Sequence, residues 1–337
     1  MIRIVKRISA SELPKEWDAC TQSYFQQREF LSYAESWNPC KQRYYWLMED
    51  NVFRAGAIVY TLTLNLLTFL HIPSPVAMHV IGVPIGTATA GYFGEIPYRQ
   101  SLLTRILEIE HGLILTLNAN TTDNLPVGVK CRMVPTTIFH NPFKSWSEYT
   151  CTMRALHRRR LFQIERCAEK LIRVLTDCSS FTEKHYQLYR QVHDRAPAKL
   201  ETLTYDFFLH LPKRFKLASY YQGEVLVSWT ITVHDGMYFM YFFGGMDYAK
   251  LKETKSYFVG LAYIVRDCIE QGHPMLDLGQ TADEPKLRFG GRLERKDMYL
   301  THHQIVVRTL LKWFRSFIEY RGQELSFDVL KNSRTSV

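Results

Sequence analysis

The sequence predicts a mixed α+β fold of two tandem domains, each a mostly antiparallel, twisted sheet flanked by helices. Three observations carry that expectation. At 337 residues the chain exceeds what one compact core usually supports. Short apolar or alternating runs of strand length, separated by turn residues, are interleaved with stretches at helical spacing. The stretch Tyr238 to Gly291 reads without a break as strand, polar loop, amphipathic helix, strand and Gly-edged loop.

Taken in order, MIRIVKR alternates as a first strand and lacks the apolar core of a secretion signal. Leu13 to Cys20 and Glu29 to Trp37 predict short helices, and Asn38-Pro39 a turn. Tyr44 to Met48 and Phe53 to Tyr60 predict a hairpin around Glu49-Asp50-Asn51. The most apolar window, Val52 to Leu70, contains Arg54, Asn65 and several threonines, so it reads as a strand pair and not a membrane span. Val76 to Pro84 adds a strand, and GVPIGTATAG a loop that is either tightly structural or open to close approach by a ligand. Pro97 to Glu110 has helical spacing and LILTLNA follows as a strand, so this half resembles a degenerate copy of the second.

The domain boundary is expected between Asn141 and Tyr149, where Ser145 and Glu148 have capping-box spacing. The next helix carries Met153, Leu156, Leu161, Ile164 and Leu171 on one side and His157 to Arg160, Arg166 and Lys170 on the other. Helices over Glu183–Arg190 and Tyr205–Leu211 precede a hairpin of Phe215–Tyr221 and Val225–Val233 turning at Gln222-Gly223. The strand Met237–Phe243 is apolar throughout, as befits a strand covered on both faces, and Gly244-Gly245 are expected to end it. DYAKLKETKS then brings Lys250, Lys252, Thr254, Lys255 and Ser256 to a helix N-terminus, a place that attracts phosphate. That helix shows Phe258, Leu261, Ala262, Val265, Cys268 and Ile269 as one stripe and stops at Gly272, with Pro274 beyond. Met275–Leu278 is the following strand, with Asp277 and Gly279 at its carboxyl end, where open sheets commonly place ligand chemistry. Val306, Leu310, Leu311, Phe314 and Phe317 predict a packed closing helix over His303–Tyr320, and the tail after Leu330 is expected to be loose.

The order of YFFGGMD, the Lys- and Thr-bearing loop before Ser256-Tyr257-Phe258, GHPMLDLGQT and KLRFGG resembles the GNAT acyltransferase superfamily, in its double-domain, Fem-like and peptidoglycan-biosynthesis-like branch. SWSEY followed by MRALHRRR is similar to the start of that branch's second domain, and VIGVPIGTATAGYFGE to its first-domain counterpart. The resemblance implies a degenerate GNAT-like domain over 1–142 and a GNAT-like domain over 143–337 that carries the donor site. It also implies transfer of an acyl or aminoacyl group to an amine, from acyl-CoA or from aminoacyl-tRNA. The chain departs from the pattern twice. LKETKS replaces the glycine-rich pyrophosphate loop of single-domain members, and no heptad run forms the coiled-coil arm of some Fem enzymes.

Acyl transfer needs a polarised carbonyl and a neutral amine. The resemblance implies that an amide of Tyr241–Gly245 binds the carbonyl oxygen, which places Phe243, Gly244 and Gly245 with Lys252, Thr254, Lys255 and Ser256 on the donor. A turn after a core strand is the other reading of the glycines. Asp277 is the first candidate for taking the amine proton, because a charge inside MLDLG requires a task or a partner; capping the next turn is the alternative. Tyr241 and Tyr238 are candidate proton donors or core aromatics. Lys286 resembles the lysine of the Fem FK-x-x-FG motif, which implies contact with acceptor or tRNA phosphate; a surface lysine is the alternative.

A net charge of +9 favours an anionic partner or a solvated basic surface. The basic helix over 154–173 is the candidate tRNA contact, although no aromatics alternate with its charges as a stacking platform requires. Seven cysteines without a Cys-x-x-Cys pair point to a reducing, cytoplasmic setting. No His-Glu-x-x-His, Gly-x-Ser-x-Gly or Walker pattern occurs, no metal is expected, and neighbouring His302 and His303 are expected to point apart. A non-catalytic protein that holds an anionic ligand in the same cleft is the rival from another class.

Overall fold

The alternating and apolar runs form fifteen strands in a computed structural model, which describes residues 1–331 apart from 68, 69, 71, 73, 126, 127, 197–200, 323 and 324. The tail expected to be loose lies, from 332 on, outside the described residues. In chain order the strands are β1 (Ile2–Arg7), β2 (Arg43–Glu49), β3 (Val52–Asn65), β4 (Pro75–Ile81), β5 (Tyr92–Gly94), β6 (Leu113–Asn120) and β7 (Val129–Arg132). Then follow β8 (Thr136–His140), β9 (Ile172–Asp177), β10 (Lys216–Gln222), β11 (Val225–Asp235), β12 (Tyr238–Met246), β13 (Met275–Gln280), β14 (Arg292–Glu294) and β15 (Lys296–His302).

The chain divides into two units, each built on one sheet: Met1–Val134, Pro197–Thr204 and Arg295–Gly322, and Pro135–Ala196, Tyr205–Glu294 and Gln323–Val337. They interleave along the sequence, unlike the single break at 142/143 that the turn signals suggest. The reason is pairing: β8 lies between β13 and β14 in the second sheet, and β15 lies between β6 and β7 in the first.

In the first unit the sheet runs β1-β2-β3-β4-β6-β15-β7, with β5 also on β3; only the β4–β6 pair is parallel. Val52 to Asn65 is one long strand and not a hairpin, because its two halves pair with different partners, β2 and β4. The GVPIGTATAG loop is held from three sides: Asn38 Nδ2 donates to Pro84 O (2.9 Å), Asn118 Nδ2 to Thr87 O (2.7 Å) and Gln26 Nε2 to Ala90 O (2.9 Å). A Cβ at Gly91 would lie 2.2 Å from the main-chain nitrogen of Gly82, so backbone packs on backbone there. The closing helix divides into Ile305–Trp313 and Arg315–Ile318. Leu311 and Ile318 enter the core with Val307 packed against it, while Val306, Leu310, Phe314 and Phe317 of the expected stripe face solvent.

In the second unit the order is β14-β8-β13-β12-β11-β10-β9, with β12 and β13 parallel and the other pairs antiparallel. The helix Ser256–Glu270 lays Val259, Leu261, Val265, Cys268 and Ile269 on the core, and Gly272 follows with φ +71°. The basic helix ends at Ala168, because Ile172 onward joins β10 as an edge strand; Leu156, expected inside, is exposed.

Behind β11, His185 starts the helix Glu183–Arg195 in a capping box with Thr182. Its Nδ1 accepts from the Thr182 main-chain N–H (3.1 Å), so Nε2 holds the proton and donates to Ser219 Oγ (2.9 Å). Burial lowers its pKa to about 4. An unfolded histidine takes up its proton near pH 6.5, so the stability this neutral ring contributes is complete above that pH and is lost as pH falls towards 4. Urea unfolding across pH should show a loss of about 3 kcal/mol over that window, reduced in His185→Gln. Equal slopes in the two proteins would contradict the assignment.

Candidate active site

The second unit's central strands part. β12 and β13 are in register only from Tyr238/Met275 to Met240/Asp277, while β12 continues along β11 to Met246. From Tyr241 onward the ladder between β12 and β13 does not continue. Between Ile231 and Thr232 the β11–β12 register shifts, a bulge at Phe242 that bends the strand where the two separate.

The glycines lie inside β12 and do not end it. A Cβ on Gly245 would meet Trp229 Nε1 at 2.4 Å and Tyr189 N at 2.8 Å. One on Gly244 would meet Tyr241 Oη at 2.3 Å. These contacts, and not a turn, demand glycine. They also place the Tyr241 phenol against Gly244 of its own strand. Phe243, half-buried, packs its ring 5.6 Å from that of the buried Phe208. Tyr238 stands at the closed end, opposite Met275.

On the other lip, β13 ends in a turn with Gly279, Thr281 and Ala282 at φ +77°, +62° and +50°. Left-handed backbone at a β-branched threonine is costly and persists only where neighbours over-determine it. Two groups do so. Asp277 Oδ1 accepts from Gly279 N (2.7 Å) and Thr136 Oγ1 (2.6 Å). Lys286, 3% exposed, donates from Nζ to the carbonyls of Gly279 (2.8 Å), Gln280 (2.9 Å) and Thr281 (2.5 Å). All three ammonium protons are thereby used. Lys286 is therefore not a surface lysine, and it has no donor left for a phosphate. Burial lowers its pKa to about 8, with Asp277 and Asp283 opposing, so it is charged at neutral pH.

Asp283, which sequence reasoning passed over, opens the short helix Asp283–Leu287. Its Oδ1 is buried without a hydrogen-bond partner among the described residues, and burial raises its pKa, with Lys286 acting against the rise. Tyr257 feels the same carboxylate. Tyr241 and Tyr257 both touch solvent yet are enclosed by protein, which raises their phenol pKa values and keeps them neutral. The only sequence signal for Asp283 was an acid directly after the Gly279 turn.

At the helix N-terminus, Lys255 is left-handed (φ +50°). Thr254 is turned inward, accepting from Ser256 N (3.3 Å) and donating to Lys250 O (2.9 Å). Ser256 is buried, and its Oγ lacks a partner among the described residues. Lys252 is exposed and Lys255 half-exposed. Outside this region, Arg159, Arg160, Arg166 and Lys170 remain open to solvent, whereas His157 is buried. His302 and His303 do not point apart: their rings stack 4.3 Å apart, and each Nδ1 accepts a main-chain N–H, from Gln304 and Gly112.

Lys286→Met leaves three carbonyls without a donor and should cost about 3 kcal/mol in urea unfolding, with faster amide exchange across 279–282. Wild-type stability and exchange would contradict the bracing role.

Residues 153–287 match the family described as Acetyltransferase (GNAT) domain. No curated protein sequence matches the chain. Among solved structures, FemX is similar over 92% of this chain and 100% of its own, with a TM-score of 0.52 and 11% identity. A conserved protein of unknown function from Bacteroides thetaiotaomicron is similar over 89% and 99%, with a TM-score of 0.52 and 9% identity. L-PGS from Bacillus licheniformis is similar over 80% and 87%, with a TM-score of 0.50 and 10% identity. At these identities the likeness is one of fold. Residues 153–287, which span the split sheet, thus match a GNAT acetyltransferase domain, and the chain's fold is similar to that of FemX.

Proposed function

We propose that the chain is an N-acyltransferase that moves an acyl group from acyl-CoA to an acceptor amine in the cleft between β12 and β13. The observation that carries this reading is the end of β12–β13 pairing at Met240/Asp277. Beyond it, an amide of Tyr241–Gly245 polarises the thioester carbonyl; one such donor contributes about 2.7–4 kcal/mol to a transition state. The donor's phosphates lie at the N-terminus of Ser256–Glu270, near Lys252, Lys255 and the unpartnered Ser256 hydroxyl, with Thr254 shaping that terminus from inside.

Asp283 takes the acceptor's ammonium proton, because its buried Oδ1 is unengaged whereas Asp277 Oδ1 serves the turn. The free amine adds to the carbonyl carbon, the C–S bond breaks as the tetrahedral intermediate collapses, and the departing thiolate takes a proton from the Tyr241 phenol. That phenol is restored by the proton the nitrogen sheds on becoming an amide. Lys286 positions the lip and touches no reacting atom.

Aminoacyl-tRNA as donor is the second reading, favoured by the open basic face of Arg159, Arg160, Arg166 and Lys170. Radiolabelled acyl-CoA and charged tRNA, each incubated with a panel of amines, separate the two; saturable binding without product from either would contradict both. With an active donor, Asp283→Asn should lower kcat about 100-fold with little change in donor affinity. Lys252→Ala with Lys255→Ala should instead weaken acyl-CoA binding by roughly tenfold. Full turnover in Asp283→Asn would remove its assigned role.

A further inference from the structure

The closing helix is amphipathic in the inverse sense to that expected. Leu311 and Ile318 reach the core, while Ile305, Val306, Leu310, Trp313, Phe314 and Phe317 stand 43 to 75% exposed, with Trp313 the most open. Six large apolar side chains within one short segment exceed the scattered exposure normal for a surface. The charges around them have one sign. Between His302 and Gly322 the sequence carries Arg308, Lys312, Arg315 and Arg321, and Glu319 is its single acid. Glu319 is already committed, its Oε2 lying 3.3 Å from Arg315 Nε and 3.5 Å from the main-chain nitrogen of Arg132.

We propose that the outward face of Ile305–Ile318 docks on an anionic phospholipid bilayer, with the aromatic and aliphatic side chains at the headgroup–acyl boundary and the basic residues on lipid phosphates. Apolar face and cationic flank together are the two signals that hold a helix in a membrane interface. Tryptophan and phenylalanine suit that boundary, and each nearby Lys or Arg adds electrostatic attraction to an anionic leaflet. A second copy of the chain fits less well. Pairing this face with itself brings Arg308, Lys312, Arg315 and Arg321 against their own equivalents, with no uncommitted acid in the segment to neutralise them. The contact is peripheral, because among the described residues no helix is long and apolar enough to cross a membrane. This surface is independent of the acyl-transfer cleft, so the two readings stand or fall separately.

Co-sedimentation of the full chain with vesicles of phosphatidylcholine alone, and of phosphatidylcholine with phosphatidylserine, tests the proposal. Binding is expected to the anionic vesicles only and to weaken as salt is raised. Arg308→Ala and Lys312→Ala should each reduce the partition coefficient about fivefold. The combined Trp313→Ser, Phe314→Ser and Phe317→Ser variant should abolish binding while keeping the wild-type Tm, since these side chains contribute little to the core. Failure of the wild-type chain to bind anionic vesicles would overturn the proposal, as would binding that neither variant set alters. Light scattering supplies the remaining outcome: a wild-type dimer that the triple serine variant dissociates would assign the face to a second copy instead.

Discussion

The carbonyl oxygens of Gly279, Gln280 and Thr281 converge on one buried ammonium and hold the chain in a turn just past the point where β13 has left β12. Here Lys286 takes them, Asp277 fixes the preceding amide, and a threonine and an alanine are held in left-handed backbone that neither would adopt alone. The charge tolerates burial because two carboxylates, Asp277 and Asp283, lie close enough to favour it. The turn past β13 and the buried cation are thus one arrangement.

The other lip depends on close approach and not on charge. Gly244 and Gly245 let β12 lie against Trp229, Tyr189 and its own Tyr241, so the strand continues past its parallel neighbour without losing β11. Its edge beyond the end of the β13 ladder carries main-chain amides beside phenols that burial keeps neutral, a setting suited to hydrogen-bonding an oxyanion. The resulting division of labour separates groups that shape the cleft, Lys286 and Asp277, from a group with capacity to spare, Asp283.

Local patterns made much of this legible. The strand–loop–helix–strand order from Tyr238 to Gln280, the stripe of Ser256–Glu270 and the stop at Gly272 follow from periodicity and glycine chemistry, and the structure has them within a few residues. Non-local pairing was not legible. Nothing near Thr136 says that it joins β13 and β14, or near Lys296 that it returns to β6 and β7, so a single domain break was the natural expectation. The stripe of Val306, Leu310, Phe314 and Phe317 has the spacing of a buried face, and spacing alone does not say which side meets the core. At the site, an acid inside MLDLG drew attention to Asp277, whose partners Thr136 and Gly279 only the fold reveals. Lys286 was marked by motif, while its saturation by carbonyls depends on three left-handed residues that sequence does not disclose.

The central claim is that the edge of β12 beyond Met240, where the ladder to β13 stops, offers a main-chain amide to a carbonyl. Hydrogen exchange of the Tyr241–Gly245 amides, resolved by residue and followed with and without acyl-CoA, tests it most directly. The account predicts that at least one of them exchanges far faster than the amides of Tyr238–Met240 in the free protein and becomes protected when donor binds. Uniformly slow exchange across β12 in the free protein, indifferent to donor, would contradict it.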